Sequence, residues 1–390
     1  MRDHRPQSLY KGSIASYLDC SPDNISLFWK GRVAFYGILK SLGIGPGDEV
    51  IIPGFTCVVV PNAIIYLGAT PVYADIDPLT YTIDPESVEK KITKRTKIIL
   101  AQNTFGLSAD MDALMEIAGR RGVQIVEDCT HGIGGFYKGR KNGTLAKASF
   151  FSTQWNKPFS TGLGGFAKVD DQLSDSMLEF EKSCIAPSLK DVQMLRALLA
   201  VRKKTSGSPL YWTLLHWYRR LSKVRGFAGS SSGEEISGTD FPQSYLKGIS
   251  EIQCLAGLEA LNQLDENVSH QREIAAQYSI CLSTFSVPAP VEPKESVHSF
   301  LKYPLLVDQR QLFLEKAEKN KIEISDWFLS PLHPVLGNLE KWNYLPGTCP
   351  VAERISALMV NLPTHRAIDS EYVQRVKIFL TRHEHLLVRP

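Results

Sequence analysis

Lys157 follows an apolar, aromatic run, Ser149-Phe150-Phe151-Ser152, and opens onto a turn rich in Ser, Thr and Gly, Ser160-Thr161-Gly162-Leu163-Gly164-Gly165. A lone amine delivered into such a turn is partly desolvated, which lowers its pKa and frees its nucleophilic form. An amine of that kind is suited to Schiff-base chemistry with a carbonyl. Upstream, Val123-Gln124-Ile125-Val126 reads as a short apolar strand that ends in Glu127 and Asp128, with His131 just beyond. Taken singly, Lys157 reads as a solvated surface lysine and His131 as a satisfied core histidine. Taken together, a carboxylate at a strand end and an activated lysine downstream are what a pyridoxal phosphate enzyme needs. The carboxylate keeps the pyridine nitrogen protonated, and the lysine carries the cofactor.

The composition bounds the rest. The chain has 390 residues, 43% hydrophobic and 22% charged, as in an ordinary soluble globular protein. Its length allows two or three domains, or one large α/β domain with an appendage. A net charge of +3 is too small to argue for nucleic acid. The seven cysteines are scattered without a C-x-x-C pair, so no metal site is expected and a reducing compartment fits better than a disulfide framework. The first residues are polar and lack an apolar signal core, and no apolar run reaches the roughly 18 residues that span a bilayer. The expected location is the cytoplasm.

The elements that must position Asp128 and Lys157 are visible as an alternation. Residues 24–29 read as a strand, followed by a turn at Gly31 and a helix over 33–42 whose N-terminus is a natural phosphate site. Short strands are expected at 49–53, 72–76, 97–101 and 123–126, with helices over 62–67 and 109–121. The pattern predicts an α/β fold with a mostly parallel central sheet flanked by helices, and ligands at the carboxyl ends of its strands. Residues 185–240 break the alternation as a helical insertion with a Gly/Ser-rich loop over 226–238. Its 211–225 segment is aromatic and basic. It reads as a helix on the core or at a dimer interface, with peripheral contact to an anionic membrane as the alternative. Helices over 250–278 and 370–387 and strands near 299–306 and 359–362 give a smaller α+β part. The expected division is a large domain over 1–250 and a small C-terminal domain over 251–390.

Four segments in order carry a family resemblance: Leu42-Gly43-Ile44-Gly45-Pro46-Gly47-Asp48-Glu49-Val50-Ile51; Ala109-Asp110-Met111-Asp112 after Gly106; Glu127-Asp128-Cys129-Thr130-His131; and Cys349-Pro350-Val351-Ala352-Glu353-Arg354 with Leu362-Pro363. The chain resembles the DegT/DnrJ family of pyridoxal phosphate-dependent sugar aminotransferases, which share the aspartate aminotransferase fold (type I). The resemblance implies roles by position. Lys157 is the lysine linked to the cofactor, and Asp128 partners the pyridine nitrogen. His131 stands near the phenolic oxygen or the ring. Ser152 and the amides of Gly31, Arg32 and Val33 hold the phosphate. It further implies a homodimer that takes its amino group from L-glutamate and passes it to a keto-sugar, usually nucleotide-linked, in polysaccharide or secondary-metabolite biosynthesis.

The chain departs from that pattern in places. Arg32 replaces a Thr or Ser, adding a cation that can reach the phosphate, reach the donor's carboxylate or turn away. Cys57 stands where relatives carry the aromatic that stacks on the cofactor ring, and Tyr245-Leu246-Lys247 replaces a run whose Asn reaches the partner's phosphate. Two rival readings share the fold. Sugar dehydratases of this kind replace the lysine with His, which Lys157 opposes. A non-catalytic cofactor-binding regulator would not need the Asp128 and Lys157 pair. A membrane-associated scaffold using 211–225 would not need it either.

Overall fold

The computed structural model describes residues 5–205 and 233–389. Seven strands form the central sheet: β1 (Ile25–Phe28), β2 (Glu49–Pro53), β3 (Thr70–Ala74), β4 (Thr96–Gln102), β5 (Gln124–Asp128), β6 (Ala148–Ser152) and β7 (Gly165–Val169). Their spatial order is β1-β7-β6-β5-β4-β2-β3. The pairs from β6 to β3 are parallel, and β7 and β1 are added antiparallel at one edge. The sheet is mostly parallel, as expected from the alternation.

Period-two alternation explains how one sheet serves two cores. Ile51, Ile99 and Ile125 point to a cluster with Met111, Leu114 and Ile117 of the helix Met111–Arg121. Their neighbours Ile52, Leu100 and Val126 point the other way, to Val33, Phe35 and Phe150. Successive strand side chains face opposite sides, so helices must cover both. Met111–Arg121 starts where Asp110 accepts from the Ala113 amide at 3.1 Å and stops at Gly122, at φ 67°. Both ends follow ordinary capping chemistry.

Several boundaries differ from expectation. The helix expected over 62–67 runs from Val59 to Ile65, and the last helix ends at Arg382 before a 3-10 turn, Glu384–Leu386. The strand expected over 299–306 is confined to Tyr303–Leu306, paired antiparallel with Met359–Leu362. An unforeseen helix, Arg5–Tyr17, puts Tyr10, Ile14 and Ala15 against Cys254 and Leu264.

Within the insertion, Leu189–Thr205 is one helix. The loop expected over 226–238 is corrected in part, because Gly233–Ser237 is helical and buries Glu235. The helix expected over 211–225 lies outside the described residues. Beyond residue 264, a separate apolar cluster gathers Ile274, Tyr278, Tyr303, Phe313, Val360 and Phe379. Among the described residues no helix is long and apolar enough to cross a membrane.

Candidate active site

β5 ends at Asp128 beside β6, with Asp128 in register with Phe150. The chain then leaves β6 at Ser152 and loops through Lys157 before returning as β7. The neck of this loop is closed by Thr153 and Thr161, whose hydroxyls lie 2.7 Å apart and whose backbones bond at 2.9 Å. Gly164 makes that closure possible, since a Cβ there would stand 2.3 Å from both hydroxyl oxygens. The helix Leu189–Thr205 braces the loop from outside. Arg202 donates to the Trp155 carbonyl at 2.6 Å and lies over its ring, while Leu195 packs with Leu163. The insertion therefore touches the lysine loop directly, a contact sequence separation had hidden.

The three groups expected to do chemistry come together. Asp128 is buried, with one carboxylate oxygen accepting from the Thr130 amide at 2.9 Å. Burial pushes its carboxyl up, against the opposing pull of Thr130 and the Lys157 amine. Burial also lowers Lys157 to about 7, with Asp128 and Cys57 pulling it up and Lys302 pushing it further down. A substantial share of this half-buried amine is therefore unprotonated and nucleophilic at neutral pH. His131 is buried and neutral. Desolvation is the main cause, helped by the charges of Lys157 and Lys302 and by His333. Its Nδ1 accepts from the Phe105 amide at 3.3 Å, so the network assigns the proton to Nε2, which can donate to an oxygen.

Gly31, Ser152 and the start of the next helix form one cradle. The helix Gly31–Ser41 begins with no side-chain cap at Lys30. A Cβ on Gly31 would stand 2.7 Å from the Phe151 carbonyl and 3.2 Å from Ser152 Cβ, so only glycine lets the helix start against the end of β6. Val33 follows in the first turn, its amide bonded to the Lys30 carbonyl at 3.1 Å. Burial and then Arg32 lower the Lys30 amine to about 8, a depression that an anion at the helix end would relieve. Arg32 itself turns to Glu235: the two buried side chains form an ion pair. Of the three courses open to Arg32 in the sequence, its guanidinium takes the one away from the cradle.

Two groups here were not foreseen, Trp327 and Lys302. Trp327 stacks on His131 with ring centroids 5.2 Å apart and planes 7° from parallel. The Lys157 amine lies 5.1 Å from the centre of that indole, and the Lys302 amine 5.7 Å. Cys57 is half-buried and lies in parallel register with His333, whose carbonyl accepts from the Val58 amide at 2.9 Å. Cys57 offers no ring; the aromatic surface around His131 comes from Trp327, with Phe328 and Phe105 also stacked on it at 5.7 and 6.2 Å.

This donor set fits pyridoxal phosphate. A buried carboxylate with a raised pKa is stabilised by a pyridinium N–H, and a helix N-terminus with an adjacent Ser152 hydroxyl suits a phosphate dianion. His131 Nε2 can donate to the phenolic oxygen, and the Lys157 amine is free to bond the aldehyde carbon.

The sequence pattern of the DegT/DnrJ/EryC1/StrS aminotransferase family matches residues 30–202 and 225–380. The chain is 29% identical over 347 residues to GDP-perosamine synthase of Escherichia coli O157:H7, covering 88% of this chain and 81% of that one. It is 26% identical over 354 residues to UDP-2-acetamido-2-deoxy-3-oxo-D-glucuronate aminotransferase of Pseudomonas aeruginosa, covering 90% and 84%. The crystal structure of the aminotransferase TlmJ from Streptoalloteichus hindustanus superposes with a TM-score of 0.75 at 24% identity, covering 97% of this chain and 90% of that one. The chain belongs to the DegT/DnrJ/EryC1/StrS aminotransferase family, whose members depend on pyridoxal phosphate.

Proposed function

We propose that this chain moves an amino group from L-glutamate to a keto-sugar, nucleotide-linked, in amino-sugar biosynthesis. The observation that carries the reading is the placement of Asp128 and the Lys157 loop at the carboxyl ends of adjacent parallel strands, next to the uncapped helix start at Gly31. A GDP-sugar and a UDP-sugar enzyme among the relatives support a nucleotide-linked acceptor.

Bound pyridoxal phosphate supplies the carbonyl that accepts the donor's nitrogen and the ring that accepts the electrons of the broken C–H bond. The chain supplies everything else. Gly31 and Arg32, through their amides, and Ser152, through its hydroxyl, hold the phosphate and set the ring's position, while the Val33 amide, expected to join them, is turned to the Lys30 carbonyl. Asp128 holds a proton on the ring nitrogen. Lys157, lowered to about 7, takes the proton from the donor's α-carbon as base and returns one as acid. His131, neutral, donates from Nε2 to the phenolic oxygen and keeps it oriented.

The reading carries a two-part chain, a cofactor-holding part over 1–250 and a smaller part over 251–390, supported by the separate apolar cluster from Ile274 to Leu387. It also carries a homodimer, on the family resemblance, and a cytoplasmic location, supported by seven free thiols. Incubation with L-glutamate and a panel of UDP- and GDP-linked keto-sugars tests the reaction. We expect a mass one amino-for-oxo exchange away from one substrate, with 2-oxoglutarate formed in equal amount. An absence of 2-oxoglutarate with every acceptor would contradict it.

A further inference from the structure

β1 and β7 pair antiparallel as far as Phe28 and Gly165 and then part. From this fork one branch runs through Trp29 and Lys30 into the cradle helix at Gly31. The other leads back through Gly164 and Leu163 into the lysine loop. The branches start in close contact, since a Cβ on Gly165 would stand 2.2 Å from Gly31 Cα and 2.3 Å from its nitrogen. Beyond that point the strands no longer pair, so the buried carbonyls of Trp29 and Leu163 must find donors on side chains.

One side chain serves both. The Gln253 amide nitrogen donates to the Leu163 carbonyl at 2.6 Å and to the Trp29 carbonyl at 3.4 Å. Its oxygen accepts from the Ser250 amide and the Ser250 hydroxyl, each at 2.8 Å, at the start of the helix Glu251–Leu261. Gln253 is fully buried, and both of its N–H groups and both lone pairs of its oxygen are engaged. Turning the amide over would set its oxygen against two carbonyls, so the network fixes its orientation. The Leu163 carbonyl also accepts at 2.6 Å from the hydroxyl of Thr161, which closes the neck of the lysine loop. A satisfied polar network of this kind, out of water, is rigid.

We propose that Gln253 is a positioning residue that holds the phosphate cradle and the lysine loop at the spacing the cofactor spans. This deepens the proposed function and rests on it. The cofactor is held at two points, its phosphate in the cradle and its aldehyde carbon at the Lys157 amine. A second attachment adds affinity only where the spacing lets one molecule reach both points. Misplacing reacting groups by about 1 Å costs up to about 100-fold. Gln253 acts through the carbonyls of Trp29 and Leu163, one on each branch of the fork.

The experiment compares wild type, Gln253→Met and Ser250→Ala as full chains freed of cofactor. Gln253→Met keeps the length of the side chain and removes both donors. Ser250→Ala weakens the same helix start and leaves the donors in place, so it controls for capping alone. Equilibrium dialysis measures pyridoxal phosphate, which engages both points, and pyridoxine 5′-phosphate, which keeps the phosphate but has an alcohol in place of the aldehyde. We expect Gln253→Met to weaken pyridoxal phosphate at least tenfold and pyridoxine 5′-phosphate less than threefold. Ser250→Ala should keep both within threefold. Should Gln253→Met fail to fold, Gln253→Asn, whose amide stops one carbon short, takes its place with the same expectation. Equal losses for the two ligands, no loss for either, or the same selective loss in Ser250→Ala would overturn the positioning role. The yellow band of wild type with pyridoxal phosphate, and its bleaching by L-glutamate, are read separately. Failure of the Gln253 role and failure of the aminotransferase reading are therefore distinct results.

Discussion

The ring of His131 lies flat against the indole of Trp327, centroids 5.2 Å apart and planes 7° from parallel. His131 follows the central strand β5, whereas Trp327 comes from the C-terminal third of the chain. Their stack joins the cofactor-holding sheet to the part of the chain that carries Lys302. Trp327→Ala removes the stack and the face under both lysines. An aromatic pair of this kind is worth about 0.5–1.5 kcal/mol beyond its buried area. We expect a lower melting temperature and about a tenfold loss in kcat/KM for L-glutamate, a loss of roughly 1.4 kcal/mol in transition-state binding. Trp327→Phe should recover most of it. Unchanged kinetics in Trp327→Ala would take the indole out of the site.

Lys157 makes the protein's stability depend on pH in a definite direction. Its pKa falls from 10.5 to about 7 on folding, chiefly through burial. Between those values the unfolded chain holds the proton and the folded chain does not, so this lysine makes stability rise with pH across that window. Below about 7 both forms are protonated, and the cost of burying the charge is present in full. Cofactor-free Lys157→Met escapes that cost. Its melting temperature should exceed wild type most at pH 6.5, with the gap narrowing by pH 9.5. A constant gap would mean that Lys157 titrates like a surface lysine.

Asp128→Asn keeps the shape of the carboxylate but not its charge, and the Thr130 amide at 2.9 Å retains an acceptor. Loss of a preorganised charged group at a reacting centre costs about 100-fold or more in kcat. We expect that loss with cofactor still bound, and partial recovery in Asp128→Glu. Stopped-flow absorbance of the half-reaction with L-glutamate measures it. A half-reaction rate within threefold of wild type would remove Asp128 from its assigned role.

Gly31→Ala places a methyl 2.7 Å from the Phe151 carbonyl and 3.2 Å from Ser152 Cβ. Forcing a methyl into packed backbone costs about 1–3 kcal/mol, and here the shift opens the phosphate cradle. Cofactor affinity, measured by equilibrium dialysis, should fall by at least tenfold, with a smaller loss of thermal stability. Gly119→Ala, in a helix where a Cβ meets nothing within 4 Å, is the control.

Arg32 and Glu235 test how the insertion is anchored. Removing one partner of a buried ion pair strands the other and costs about 3–5 kcal/mol. Glu235→Gln should therefore lower the denaturation midpoint sharply. The double variant Arg32→Met with Glu235→Met should lose less than the sum of the single losses. Additive losses would show that the pair contributes no coupling.

Asp128 and the central strands were legible because period-two apolar patterns and turn chemistry act locally. Met359–Leu362 falls where its four apolar-rich residues predict it. Lys157 was legible because aromatic residues on one side and glycines on the other mark a desolvated turn within the sequence itself. Trp327, Lys302 and Glu235 were not. Each reaches the site only through the packing of distant segments, and a single Trp or Lys carries no period that would reveal it. The helix Arg5–Tyr17 was missed for a related reason: its apolar face matches residues more than two hundred positions away. The antiparallel return of β7 was hidden because the lysine loop between β6 and β7 resembles no short hairpin turn.

In the proposed reaction Lys157 is the amine that bonds the cofactor and moves the donor's proton. The most direct measurement is the visible absorption spectrum of the cofactor-loaded protein before and after L-glutamate, in wild type and in Lys157→Ala. We expect a yellow band in wild type that is replaced by the pyridoxamine form on adding L-glutamate, with 2-oxoglutarate released. In a folded Lys157→Ala we expect no such band and no 2-oxoglutarate. A Lys157→Ala protein that shows the yellow band and still converts L-glutamate at the wild-type rate would contradict this role.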